Sequence, residues 1–251
     1  MTWSIIARDT HTGEMGIAVA TKFFAVGSRV PNLRAGIGAL ATQALTNPLY
    51  GRRGLALLEA AVPAEDVVRL LTDADRGAAS RQVHVMDGEG RIGAHTGKDC
   101  VEWAGHLEGR DCSCAGNMLA GPRVVADTVA SFERNFALPL ARRMIEAMKA
   151  GEAAGGDKRG KQSACLVIVS TEEYSDLDLR VDDHPDPLAE LERLEAVSRE
   201  RWVHYRKFLP RKHDPVGELD RDVINAGIEA ALEASREQRV VNSDSDSDSH
   251  Q

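Results

Sequence analysis

Residues 2–21, "TWSIIARDTHTGEMGIAVAT", decide the fold. "TWSIIARD" alternates in size and polarity, as a half-buried strand does. "THTGEM" carries Gly13 in a turn, and "GIAVAT" resumes an apolar strand. The spacing predicts a β-hairpin over 2–21. Strands joined this tightly are antiparallel, so the sheet that starts here is built from neighbours in sequence.

The pattern continues outward in the same style. A loop, "FFAVGSRVPNLRAG", leads to a third strand, "IGALATQ". "RRGLALLEAAV" is apolar at helical spacing and ends at Pro63, which opens a second helix, "AEDVVRLLTDAD". "RQVHVMD" and "RIGAHTG" form another strand–turn–strand unit. A less regular, cysteine-bearing segment follows, then "CSCAGNMLAG" and a second helix pair, "PRVVADTVASFERNF" and "LPLARRMIEAMKAGEAA". "SACLVIVS" is a near-continuous apolar run, as expected of a strand covered on both faces. "LDLRVDD" is the last strand.

Helices therefore arrive in pairs between antiparallel strand units, and a doubly wound parallel fold is excluded. The pattern predicts an α+β protein: a four-layer αββα sandwich of two mainly antiparallel sheets with a helix layer on each outer face. This domain is expected over 1–187. Charge-rich amphipathic helices follow within 188–236, packed on it or forming the contact of a homodimer. Residues 237–251, ending "SDSDSDSHQ", form a low-complexity acidic tail expected to be disordered.

The 251 residues carry a net charge of -8, with 43% hydrophobic and 28% charged residues. That is an ordinary globular composition, and the acidic balance excludes a nucleic-acid binder. No stretch is long and apolar enough to span a bilayer, and no signal peptide is visible. Cys100, Cys112, Cys114 and Cys165 match no zinc spacing and read as buried free thiols of a cytoplasmic protein. Cys112 and Cys114 share one face of a strand.

Several motifs have plain explanations. "GEGRIG" (88–93) fits a dinucleotide pattern, but a strand follows it, so it is a hairpin turn. "DDHPDP" (182–187) gathers carboxylates with His184, yet reads as a rigid turn that caps a helix; no metal or cofactor is expected. His84, His95 and His106 have no evident nucleophile beside them and read as packed or surface residues.

Three strand-to-helix corners are more informative. "ATQALTNPLYG" carries Gln43 and Asn47, "CAGNMLAG" carries Gly116 and Asn117, and "GGDKRGKQ" carries Asp157. Amides and backbone N–H groups at such corners can hold a developing oxyanion, or simply bond their own turns. Thr2 stands directly before a strand. Freed by removal of Met1, it could act as a nucleophile that uses its own α-amino group as base.

These blocks carry a resemblance. "TWSIIARDTHTGEMGIAVATKFFAVGSRVPNLRAGIGALATQALTNPLYGRRGLALL", "AGNMLAGPRVV", "GEAAGGDKRGKQSA" and "DLRVDDHPDP" closely resemble, in order, blocks of a bacterial family called domain of unknown function 1028. That family is similar to the N-terminal nucleophile hydrolases, which include proteasome β-subunits and several amidases. The resemblance implies the same αββα sandwich. It also implies that Thr2 attacks an amide carbonyl, that Asp157 orients it, and that Gly116 and Asn117 stand at the oxyanion corner. Thr21 and Lys22 occupy the place of an acidic residue late in the second strand, and Lys22 is assigned the basic charge that no residue before the third strand clearly supplies.

The resulting expectation is a cytoplasmic amidohydrolase acting on a small amide or peptide-like substrate. Thr2, Lys22 and Asp157 are its catalytic set, and Gln43, Asn47, Gly116 and Asn117 line its substrate site. The alternative is a non-catalytic ligand-binding or interaction protein on the same scaffold.

Overall fold

The computed structural model describes the backbone of residues 2–248 and the side chains of residues 2–236. Residues up to Leu194 form one compact unit, and those from Glu195 form a second.

The opening hairpin forms as its residues dictate. β1 (Thr2–Arg8) and β2 (Met15–Thr21) pair antiparallel, from Trp3 opposite Ala20 to Arg8 opposite Met15. Asp9 builds the turn: its Oδ1 accepts the N–H groups of His11 and Thr12, and its carbonyl accepts that of Gly13. Gly13 has φ +75°, where a side chain would be strained.

A short strand, β3 (Pro31–Arg34), pairs with β4 (Gly38–Ala44). Helices α1 (Leu49–Glu59) and α2 (Ala64–Asp73) follow, with Pro63 immediately before α2 and Glu65 and Asp66 in its first turn. Those carboxylates face the positive end of the helix dipole. β5 (Arg81–Asp87) and β6 (Ile92–Thr96) pair through the turn that contains the rejected glycine motif. β7 (Gly105–Gly109) and β8 (Cys112–Asn117) are a third hairpin. Helices α3 (Arg123–Arg134) and α4 (Leu140–Ala153) then precede β9 (Ser163–Val169), β10 (Leu177–Val181) and α5 (Pro187–Ser198).

Two sheets result, both antiparallel. One runs β10-β9-β2-β1-β8-β7 and the other β3-β4-β5-β6. β9, read from sequence as doubly covered, is buried along its whole length. The strand period of 2 sorts side chains into three apolar layers. Trp3, Ile5, Ala18, Cys114 and Leu166 pack under α3, α4 and the start of α5. Ile6, Ile17, Val19 and Val167 meet Ala39, Ala41 and Met86 between the sheets. Leu40, Val83 and Val85 pack under α1 and α2. The layers are therefore helix, sheet, sheet, helix, the sandwich expected from sequence.

Two elements were missed. β3 lies in a segment read as loop, and β7 in the segment read as irregular. Both are short edge strands that keep much of their surface in solvent, so neither shows apolar alternation.

The second unit contains α6 (Trp202–Tyr205), a 3-10 turn at Arg206–Phe208, and α7 (Arg221–Asp248). Phe208 approaches α7 at Gly227, where a Cβ would lie 2.5 Å from the ring. Of the acidic tail expected over 237–251, the backbone of residues 237–248 continues α7 and residues 249–251 lie outside the described residues.

Candidate functional site

The layer between the sheets changes character along its length. At one end it is apolar, with Ile6, Ile17 and Met86. At the end where β1 begins, the same inward-facing positions hold Thr2, Ser4, Thr21, Gln43, Gln82, His84, Ser113, Asn117 and Ser163, all buried. Buried polar groups need partners, and these find them mainly in one another.

Gln43 and Gln82 face each other in the register of β4 and β5. Gln43 Nε2 donates to Gln82 Oε1 at 2.9 Å and to the Ala115 carbonyl at 3.0 Å. Asn117 Nδ2 reaches the same Gln82 oxygen at 3.0 Å. Gln82 Nε2 bonds the Gly116 carbonyl (2.8 Å) and Thr96 Oγ1 (2.9 Å). Two amides of the smaller sheet thus grip β8 of the larger one.

Ser4, His84 and Ser113 form a second buried chain. Ser4 Oγ donates to Gln43 Oε1 (2.8 Å), so its single proton is spent there. His84 Nε2, 2.9 Å from Ser4 Oγ, is then the donor of that pair. Its Nδ1 is left to accept the Ser113 hydroxyl at 3.0 Å. Burial first, and His106 second, push the His84 pKa down to about 3, so the ring is neutral. His84, read from sequence as packed or surface, is packed, with two serines as partners that the sequence did not disclose.

Thr2 sits at the mouth of this group. It stands opposite Asn117 in the β1–β8 register, and its Oγ1 donates to Thr21 Oγ1 at 3.2 Å. Its carbonyl lies 3.4 Å from both the Asn117 Nδ2, which donates to it, and the Gln43 Nε2, whose two protons go first to the shorter Gln82 and Ala115 bonds. Thr21 faces Ser163 on β9, whose hydroxyl donates to the Phe23 carbonyl (2.6 Å) and accepts the Val26 N–H (3.1 Å).

Asp157 closes the corner beside β2. Its side chain is fully buried; Oδ2 accepts the Lys22 N–H at 2.8 Å and Oδ1 the Arg159 N–H at 2.8 Å. The Arg159 guanidinium lies 3.2 Å from Oδ2. The Lys22 ammonium turns to the Lys161 carbonyl (3.0 Å), so its charge is held on the loop after α4. Gly116 is the second-to-last residue of β8, paired with Trp3 on one side and Gly105 on the other, and a Cβ there would meet Leu119 at 2.3 Å.

Of the residues picked from sequence, Thr2, Gln43, Gly116 and Asn117 are joined in one bonded group, and Asp157 with Lys22 forms the adjoining corner. Asn47 is engaged elsewhere. Its Nδ2 donates to Asp75 Oδ2 (3.0 Å) and its Oδ1 accepts the N–H of Leu49, the first residue of α1 (3.1 Å). Asp75 also receives Tyr50, Gly77 and Arg81, and these bonds, led by Gly77 and Asn47, hold its carboxyl well below the usual range. Ser4, Gln82 and Ser113 were missed, and His84 was given no place in the site.

The other sequence features behave plainly. The four thiols are buried, and burial pushes Cys112 up to about 12 and Cys114 and Cys165 higher, which makes them inert. In "DDHPDP", His184 Nδ1 accepts the Asp186 N–H and Asp186 Oδ1 accepts the Ala189 N–H, the turn-and-cap geometry expected. Among the described residues, no three metal-binding side chains gather, and no helix is long and apolar enough to cross a membrane.

The model of a family of unknown function, DUF1028, matches residues 2–191. A solved structure, protein SPO2555 from Silicibacter pomeroyi, matched to the same family model, is 30% identical. It covers 88% of this chain and 96% of its own, with a TM-score of 0.81. Anbu, an ancestral beta-subunit from Yersinia bercovieri, is 11% identical over 78% of this chain and 94% of its own, at a TM-score of 0.40. No curated protein matches.

Proposed function

The chain belongs to the DUF1028 family, and from that premise we propose that it is an amidohydrolase of the N-terminal nucleophile type, acting on a small amide or peptide-like substrate. One observation carries the reading: Thr2 begins β1 at the polar end of the inter-sheet layer, its hydroxyl beside Thr21 and its carbonyl under two amides.

Removal of Met1 turns the Thr2 nitrogen into a free α-amine, whose pKa near neutrality suits a general base. The amine takes the Oγ1 proton, directly or through a water, while Oγ1 bonds to the substrate carbonyl carbon. Collapse of the tetrahedral intermediate breaks the C–N bond, and the leaving amine carries the proton away. Water, deprotonated by the same α-amine, then hydrolyses the threonyl ester and restores the hydroxyl. No metal or cofactor is required.

Gln43 and Asn117 act as positioning residues, because their amide protons are directed at Thr2 and Gln82. Asp157 fixes the end of β2 through the Lys22 N–H and so the position of Thr21. The Gly116–Asn117 corner is the oxyanion side of the site. We assign the protein to the cytoplasm and the charged C-terminal helices to a homodimer contact, which sedimentation reads directly.

A second reading, a binding protein on the same scaffold, is favoured by the burial of the site: Thr2 is 8% exposed. A panel of amide and short-peptide substrates, run on wild type and Thr2→Ala together, separates the two. Turnover lost in a folded Thr2→Ala protein supports the hydrolase. Binding without turnover in both proteins supports the binder.

A further inference from the structure

A second constellation lies at the other end of β1. A strand rises about 3.3 Å per residue, so Arg8 stands about 20 Å from Thr2. A cavity of about 340 Å³ opens there, lined by Arg8, Arg110, Asp111, Glu133, Phe136 and Arg143, with the β1–β2 turn at its edge. That volume is within the range of small-molecule sites, which begins at about 300 Å³.

Its formal charges balance, but among the described residues none of its carboxylates pairs with Arg143. Asp111 Oδ1 accepts Arg8 Nε at 2.9 Å, and Glu133 Oε1 accepts the Arg110 N–H at 2.8 Å. Asp9 is occupied by the N–H groups of the turn. The three carboxylates are thus already accepting.

Arg143 is different. It comes from α4, is half-buried, and lies 3.5 Å over the Phe132 ring. Its Nε donates to the Phe132 carbonyl at 2.6 Å. Among the described residues the guanidinium has no other hydrogen bond and no ion pair, so both Nη groups keep their protons unspent. Burial lowers its pKa despite Asp9, Asp111 and Glu133 nearby, the mark of a cation with incomplete solvation. The guanidinium is locked in orientation and short of an acceptor. Phe136, 75% exposed, supplies an apolar surface on the same rim.

We infer that this cavity binds a small molecule in which a carboxylate is joined to an apolar group. The Arg143 fork takes the carboxylate, and Phe136 covers the apolar part. A planar guanidinium with two unspent nitrogens matches a carboxylate in two parallel bonds. This site is separate from Thr2 and does not depend on the hydrolase reading.

Isothermal titration of the full-length protein tests it, with phenylacetate, its neutral amide phenylacetamide, and orthophosphate as probes. Saturable binding of phenylacetate is expected, with a Kd of about 1 mM or tighter. Phenylacetamide and phosphate are expected to bind at least about tenfold more weakly, since one lacks the charge and the other the apolar part. Arg143→Gln is expected to cost a similar factor. Phe136→Ala, at an exposed position, is expected to weaken binding with an unchanged Tm, which keeps the test open should Arg143→Gln fold poorly. Any of three results overturns the inference: no saturable binding of phenylacetate, equal binding of the amide or of phosphate, or binding untouched by either substitution.

Discussion

Ser4 in β1 donates its hydroxyl proton to Gln43 in β4, 2.8 Å away across the space between the two sheets. The strand that begins with Thr2 is therefore tied to the opposite sheet two residues into its course. Ser4→Ala leaves the Gln43 carbonyl and the His84 Nε2–H buried without this partner. Each such orphan costs about 1–3 kcal/mol. Urea unfolding is expected to show a loss of about 2 kcal/mol or more. A loss below about 0.5 kcal/mol, the usual effect of a neutral surface change, contradicts the bonded chain.

His84 sets an acid limit on stability. Its pKa is 6.5 in the unfolded chain and about 3 in the fold. The unfolded state therefore binds a proton below pH 6.5 that the folded state refuses until pH falls near 3. The contribution is fully present above pH 6.5 and is lost progressively as pH falls toward 3. Between pH 7.5 and 5 the loss from this residue alone is about 2 kcal/mol. Urea midpoints of wild type and His84→Gln across that interval check it: the wild type is expected to show the extra slope. Parallel slopes contradict the buried neutral ring.

Asp157 and Asn47, both picked from sequence, are expected to behave differently. Asp157→Ala removes the acceptor of two backbone N–H groups and of Arg159, at a cost of about 2–4 kcal/mol. The more conservative Asp157→Asn, if folded, is expected to lower kcat with little change in KM, because Thr21 shifts beside Thr2. Asn47→Ala removes the acceptor of the Leu49 N–H and the donor to Asp75 and is expected to cost about 1 kcal/mol with turnover unchanged. A thermal melt and a rate measurement on each variant distinguish them. Equal loss of turnover in Asn47→Ala contradicts the placement of Asn47 outside the site.

The larger part of the fold was legible because local chemistry and global pattern agree. The 2–21 hairpin carries its own turn signal, and helices arriving in pairs leave antiparallel sheets with one outer face each. β3 and β7 were not legible, because edge strands need not be apolar. Thr2, Gln43, Gly116 and Asn117 could be picked since they stand at strand ends. Gln82 could not, and His84 read only as packed or surface, since both sit inside "RQVHVMD", where a polar residue does not declare which face it takes. A signal was present: Val83 and Val85 occupy the alternate positions and pack under helices, so in a four-layer fold the intervening Gln82 and His84 must face the other sheet. Asn47 looked like its neighbours in sequence; only the position of Asp75, 28 residues away, shows where its amide goes.

The proposed mechanism requires Thr2 to be an N-terminal nucleophile. Mass spectrometry of the N-terminal peptide, after incubation of the purified protein with a β-lactone, tests it most directly. The lactone is opened by an attacking hydroxyl and leaves its whole mass on that residue. The expected peptide begins at Thr2 and carries one lactone mass on the threonine, a label absent from Thr2→Ala. A peptide that retains Met1, or a free Thr2 that stays unlabelled, would contradict it.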